Sequence, residues 1–305
     1  MILVTGATGK VGRALVRRLT AAGEPVRCLV RNPKRLGAER VRVQIALGEL
    51  HEPSSFRNAL RGVDTIIHLA GTAHDQPRTS IEEVNAVATL RLLRAAERAG
   101  ARRFLFFGAL DARLHSRARF YRSKALARAA VERSPLETMV FAPSIIYAPG
   151  DKWLTTLERF SYLPAMPLSG SGASLYQPIW ADDAADCVMS ALAGDAAEAA
   201  EGNGGAGPAG ESRCYELAGP ETLSYEAMVE TVLRASGRER PLLHLPLPVV
   251  KGALRGLGRI AGPQAFATWE EAEVLEEPMT TTRGTADAES LGVAPQPMSA
   301  VLGAT

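Results

Sequence analysis

The sequence predicts an α/β protein: a doubly wound parallel sheet with a small, mainly helical C-terminal lobe. Two observations carry this. Short apolar runs alternate with helix-period segments through the first half of the chain. Strands separated by helices pair in parallel through right-handed crossovers, which covers both faces of the sheet. A strand, a glycine-rich turn and a helix also open the chain in that order.

Residues 2–5 form the first strand, ended by Gly6, and residues 11–22 a helix with Val11, Leu15 and Leu19 on one face. Residues 26–30, 41–46 and 65–70 are the next three strands. Between the last two, residues 54–60 make a short helix, with Ser54 or Ser55 as its N-cap. A helix over 81–99 precedes a strand at 104–107, and a helix near 118–132 precedes a strand at 138–142. After Pro149-Gly150 the pattern loosens. Residues 182–193 return to helical period, and 194–212, rich in Ala, Gly and Glu, reads as an exposed mobile loop. A strand at 214–217 and two or three helices from Ser224 complete the chain. The expected division puts 1–149 and about 174–219 in the sheet domain, with about 150–173 and 220–305 in the C-terminal lobe.

Composition bounds the class. Lys and Arg number 35 against 33 Asp and Glu, a net charge of +2, without the clustered basic excess of a nucleic-acid binder. Cys28, Cys187 and Cys214 are odd in number and widely spaced, which favours a reducing compartment. No metal-ligand spacing is present. The apolar start stops after five residues, too short for a signal-peptide core, and no run reaches a membrane span. The expected location is cytoplasmic. Only five of the 35 basic residues are lysines, and there are four asparagines. A lysine or asparagine is therefore a stronger signal here than an arginine.

The turn Gly6-Ala7-Thr8-Gly9-Lys10-Val11-Gly12 has a physical logic. Gly6 permits the tight bend, Gly9 lets the backbone approach a pyrophosphate, and Gly12 brings the helix close to the sheet. The unpaired amides and positive end of that helix then face the anion. This is the context of a Rossmann-type dinucleotide site, although the spacing is G-x-x-G-x-x-G. The second strand ends in Arg31-Asn32-Pro33-Lys34, with no carboxylate to hold a ribose 2′-hydroxyl. Arg31 can offer a bidentate fork to a 2′-phosphate, and Lys10 and Arg13 can add charge. NADP is the expected cofactor, with NAD as the alternative.

These segments resemble the short-chain dehydrogenase/reductase superfamily, closest to its atypical NAD(P)-binding members, which include NmrA-like proteins and a complex I accessory subunit. The resemblance rests on residues 4–9, 29–33, Leu47-Gly48-Glu49-Leu50, the run from Gly62 to Gly71, Asn85, residues 142–147 and Asp182-Asp183. It implies that Glu49 and Leu50 border the adenine. Leu69, Ala70 and Gly71 would run beside the ribose and nicotinamide, and Pro143 through Ile146 beside the carboxamide. Asn85 would hold a water that helps position the active-site lysine.

Enzymes of this superfamily use a serine and a tyrosine four residues before a lysine. That spacing stacks phenol and ammonium on one helix face, where the charge lowers the phenol pKa for proton transfer. Here Lys124 occupies the lysine position, but Phe120 stands where the tyrosine belongs and Gly108 where the serine belongs. Tyr121 is displaced by about 100° around the helix; a one-residue shift in the helix start would turn it inward. The candidate catalytic residues are Lys124, Asn85 and Tyr121, with His74 and His115 as substitute proton donors. His68 reads as a buried, satisfied histidine, and Asp182-Asp183 as N-caps.

The functional expectation is an NADPH-binding sensor, assembly module or weak oxidoreductase. The alternative is an NADPH-dependent reductase of a quinone-like or other small, hydrophobic carbonyl substrate. Lys251, Arg255 and Arg259 recur on one face of residues 246–262, opposite Val250, Leu254 and Leu257. That face suits either anionic lipid, a peripheral membrane contact, or a helix packed on the substrate side.

Overall fold

The structure, a computed structural model, describes residues 1–200, 212–261 and 268–303. The first half runs β1 (Ile2–Thr5), α1 (Lys10–Ala21), β2 (Val26–Val30), β3 (Gln44–Leu47), α2 (Pro53–Phe56), β4 (Thr65–His68), α3 (Ala88–Ala99), β5 (Arg103–Phe107), α4 (Arg119–Val131) and β6 (Glu137–Pro143). There follow β7 (Ile146–Tyr147), α5 (Lys152–Phe160), β8 (Met166–Ser169), β9 (Leu175–Tyr176), β10 (Ile179–Trp180), α6 (Ala181–Ala200) and β11 (Ser212–Leu217). The remainder is β12 (Leu223–Ser224), α7 (Tyr225–Ala235), β13 (Leu242–Leu245), α8 (Leu247–Ala261), α9 (Trp269–Val274), α10 (Ala286–Ser290) and α11 (Met298–Gly303).

Among the described residues, seven strands form one parallel sheet in the order β11-β6-β5-β4-β1-β2-β3. The order reverses between β1 and β4, so their C-terminal ends open the crevice where α/β proteins bind ligands. One face buries Val11, Leu15 and Leu19 of α1 with Ala184 and Val188 of α6 against Val4, Ile67 and Leu105. The other buries Leu92, Leu93 and Ala96 of α3 with Val131 of α4 against Phe104 and Phe106. A third cluster, around Tyr147, Leu157, Met166, Tyr176 and Met228, gathers the later elements beside the crevice.

Several elements differ from the sequence pattern for local reasons. The strand expected from residue 41 begins at Gln44, because the Asn32 side chain accepts from Lys34 N at 3.0 Å and caps the first of two short helical turns that meet at a kink at Gly37 within Pro33–Val41. The helix expected at 54–60 starts at Pro53 and tightens into 3₁₀ geometry over Arg57–Leu60. Neither serine caps it; Ser55 Oγ instead accepts from Glu49 N at 2.8 Å. The helix preceding β5 carries a π-turn at Glu83–Val87, centred on Asn85. Helix α6 continues to Ala200, so the first part of the expected mobile loop is helical and residues 201–211 lie outside the described residues. Asp182 and Asp183 sit inside the first turn of α6 rather than capping it. Asp182 pairs with Arg17 and Arg18, while Asp183 accepts from Gln296 N at 2.8 Å.

That last bond is part of a strap by which the C-terminal segment returns to the sheet. Asp287, at α10, accepts from Glu216 N on β11 at 2.7 Å, across 71 positions of sequence.

The candidate dinucleotide cleft

Gly6 adopts φ +72°, in the left-handed region, where a Cβ would lie 2.6 Å from Ala70 N. At Gly12 a Cβ would lie 2.2 Å from Gly6 O. Both positions therefore exclude any side chain, and the turn sits directly against the end of β4. Gly9 is less crowded, its nearest neighbour Gly6 O at 3.2 Å, and it occupies the N-cap of α1 without a side-chain cap. The first turn of α1 carries no acidic residue. Its free amides and partial positive charge are thus available to an anion.

Lys10 does not remain free for that anion. Its ammonium donates to Ile146 O at 2.6 Å and pairs with the buried Asp151 at 3.1 Å. The lysine ties the glycine turn to the first residues after β6, and Asp151 is also the N-cap of α5. Lys10, expected to add charge at the phosphates, is held by these contacts at the mouth of the cleft. Arg31, Lys34 and Arg35 are exposed beyond β2, with Arg13 exposed on α1. None of their side chains forms an ion pair among the described residues.

Glu49 and Leu50 are half-buried after β3, Glu49 lying 3.1 Å from His51 Nδ1. Leu69 and Ala70 are half-buried and Gly71 exposed at the end of β4, while Pro143 is buried at the end of β6. A cavity of about 1190 Å³ joins Thr8, Gly9, Lys10 and Ile146 to the C-terminal lobe. It also reaches Arg13, Arg35, Lys152 and Glu271. Sequence reasoning did not single out Arg35, Lys152 or Glu271. Glu271 carried a signal, since Thr268-Trp269-Glu270-Glu271 has the capping-box spacing that the structure forms.

Lys124 is fully buried, and burial pulls its ammonium down to about 8. It donates to Phe107 O at 2.7 Å and lies 5.1 Å from the centre of the Phe106 ring. The Phe120 ring centre is 6.0 Å away, so phenylalanine fills the side of Lys124 where a phenol would act. Tyr121 turns elsewhere: its hydroxyl donates to Val274 O at 3.3 Å, and burial raises its pKa. The helix start is not shifted, and Tyr121 stays displaced from the Lys124 face. A Cβ at Gly108 would meet nothing closer than 3.7 Å.

Asn85 makes three hydrogen bonds within the protein. Its carboxamide accepts from Thr72 N at 2.9 Å and donates to Thr72 O at 2.8 Å and Ser123 Oγ at 3.0 Å. It holds the loop after β4 against α4, while Lys124 donates its hydrogen bond to Phe107 O. His68 is buried and neutral, its rings nitrogens bonded to Thr5 Oγ1 and Thr89 Oγ1 at 2.7 and 2.9 Å. Burial first, then the Lys124 charge, lowers its pKa to about 3. His74 lies 3.1 Å from Glu271 Oε1, bridging the loop after β4 to α9.

A cradle that admits no Cβ, an uncapped helix start and unpaired arginines fit a dinucleotide phosphate. The family model described as NAD(P)H-binding matches residues 6–156, the segment that builds this cradle. The chain belongs to that NAD(P)H-binding family. It is 26% identical over 261 residues to the mitochondrial NADH dehydrogenase [ubiquinone] 1 alpha subcomplex subunit 9 of Arabidopsis thaliana, covering 81% of this chain and 61% of that protein. It is 31% identical over 187 residues to the ceramide reductase of Caulobacter vibrioides, covering 61% of this chain and 58% of the reductase. The chain thus spans about three-fifths of the length of these relatives. Among solved structures it resembles dTDP-glucose 4,6-dehydratase from Streptomyces venezuelae, which holds NAD, with a TM-score of 0.72, 20% identity and coverage of 99% and 94% of the two chains. That likeness concerns the fold. Among the described residues, no helix is long and apolar enough to cross a membrane.

Proposed function

We infer that this protein binds NADPH in preference to NADH and acts chiefly as a cofactor-binding module, a sensor or an assembly partner, with at most weak oxidoreductase activity. The observation that carries the inference is the contrast between an unobstructed phosphate cradle and a lysine faced by Phe120. Loss of a general acid removes about 10²–10⁴ of rate, which disfavours the superfamily's alcohol–carbonyl chemistry. The preference for NADPH is supported by Arg31, Arg35 and Arg13, exposed and unpaired near the turn. The bound cofactor would supply a hydride. The chain's own part is to hold the pyrophosphate at residues 6–12, the ribose near Leu69–Gly71 and Lys124, the adenine near Glu49 and Leu50, and the carboxamide near Pro143 and Ile146. In this proposal residues 150–173 and 220–305 form the lobe that faces the cofactor, and the protein works in the cytosol. Similarity to a respiratory-complex subunit supports the assembly reading.

The apolar cavity beside the turn favours a second reading, reduction of a quinone-like acceptor that takes its proton from water. Calorimetric titration with NADPH and NADH tests the first proposal: binding at least tenfold tighter for NADPH is expected, and no binding of either at millimolar concentration overturns it. Steady NADPH oxidation across a quinone panel would select the second reading, and a flat trace the first.

A further inference from the structure

The cavity changes character along its length. At the glycine turn and its mouth it is polar, with Lys10 paired to Asp151, and Glu271 set between His74 at 3.1 Å and Lys152 at 3.7 Å. Deeper in the C-terminal lobe its wall is apolar: Trp153, Leu157, Phe160, Trp180, Leu254 and Leu275. Ser169 is the polar exception in that wall, its Oγ buried with no hydrogen-bond partner among the described residues. At about 1190 Å³ the space exceeds the range of about 300–1,000 Å³ typical of drug-sized ligands.

The basic helix α8 explains how this wall is held. Lys251 pairs with Glu273 at 2.7 Å, and the Arg255 guanidinium lies 4.5 Å from the centre of the Trp269 ring. These cations are committed to α9, and Val250 and Leu254 line the cavity. The helix therefore packs on the cleft, with Lys251 half-buried against α9 and Arg255 exposed over the Trp269 ring; the Arg259 side chain lies outside the described residues.

We propose that the cavity holds a single long-chain apolar molecule with one small polar head, its tail among Leu157, Phe160 and Leu254 and its head at the Glu271–Lys152 mouth, beside the cofactor end. A tail of this kind matches a wall with few polar groups, and its head matches the mixed charge confined to the mouth. The assignment of the mouth as the reactive end rests on the cofactor reading above; the occupancy of the cavity does not.

Trp153 and Trp180 lie in the wall, so intrinsic fluorescence of the full chain reports occupancy directly. Titration with n-alkan-1-ols from hexanol to dodecanol is expected to give one saturable site that tightens about fourfold per added methylene. Leu254→Arg is expected to weaken dodecanol binding at least tenfold, and Leu157→Trp, which fills the tail space, to shorten the longest alcohol accepted. NADPH affinity, measured by calorimetry, should not change in either variant. Affinity that is flat with chain length, or a dodecanol titration unaltered by both substitutions, overturns the proposal. Alcohol binding without NADPH binding would leave this proposal standing and defeat the cofactor reading; the reverse result would do the opposite.

Discussion

The turn after β1 and the end of β5 use glycine in opposite ways. At the phosphate end, Gly6 and Gly12 are sterically obligatory, since an added Cβ would meet backbone at 2.6 and 2.2 Å. After β5, Gly108 has room, its nearest neighbours 3.7 Å from an added Cβ. Packing therefore compels glycine where the cofactor's phosphates would lie and does not compel it where a serine hydroxyl would work. Binding geometry and proton chemistry are separable in this fold. The first is written into close backbone contacts, and the second into two side chains that the structure can do without.

The largest effect expected from testing this contrast is a gain of function. Gly108→Ser with Phe120→Tyr should raise NADPH-dependent reduction of simple ketones by about 10²–10⁴, read from absorbance at the nicotinamide band. No rise at all would mean that Lys124 does not mark the reactive end. Next in size, Gly12→Ala should cost about 3 kcal/mol of folding stability and abolish cofactor binding. Gly108→Ala should change stability by less than about 1 kcal/mol. Chemical denaturation of the two variants side by side measures the asymmetry directly, and equal costs would break it.

A smaller effect should separate the two cofactors. Arg31→Glu is expected to weaken NADPH by at least about tenfold, the scale of one charge-assisted hydrogen bond, with NADH affinity held within about twofold in the same calorimetric assay. An effect read from its pH dependence concerns Lys124, whose ammonium falls from 10.5 to about 8 on burial. The folded state prefers the neutral amine, so the penalty is full below pH 8 and fades as the pH rises toward 10.5. Lys124→Met should therefore stabilise the apo protein by about 3 kcal/mol near pH 7, with the advantage gone by pH 10.5 in denaturation curves. A constant difference across that range would show that the ammonium is not the source. Acid acts on the neighbouring His68 in the other part of the scale. Its pKa is depressed to about 3, so stability is lost as the pH falls from 6.5 toward 3.

What could be seen in the sequence follows from how far each signal reaches. The strands and the glycine turn were legible because hydrophobic period and backbone sterics are local. Phe120 and Gly108 were legible as departures from a spacing, and the ring of Phe120 does face Lys124. The partners of Lys10, Tyr121 and Asn85 were not, because each depends on a contact closed by the fold. Ile146 is 136 positions from Lys10, and Val274 is 153 from Tyr121. Asn85 was recognised as unusual, but its place in a π-turn and its bonds to Thr72 and Ser123 were not. The basic face of α8 was visible as a period; that Lys251 and Arg255 are spent on Glu273 and Trp269 was not.

The strap from α10 to β11 has a consequence in time. Glu216 N receives its carboxylate from Asp287, which lies 71 positions further along the chain. At ribosomal rates of about 5–20 residues per second, that partner arrives roughly 4–14 s after the strand itself. Throughout that interval β11 is the newest strand at the rim of the sheet, and an unfinished rim is where nascent chains recruit one another. A chain cut short before Asp287 would hold that condition indefinitely, so premature termination there should yield insoluble product even though every residue of the glycine turn has been made.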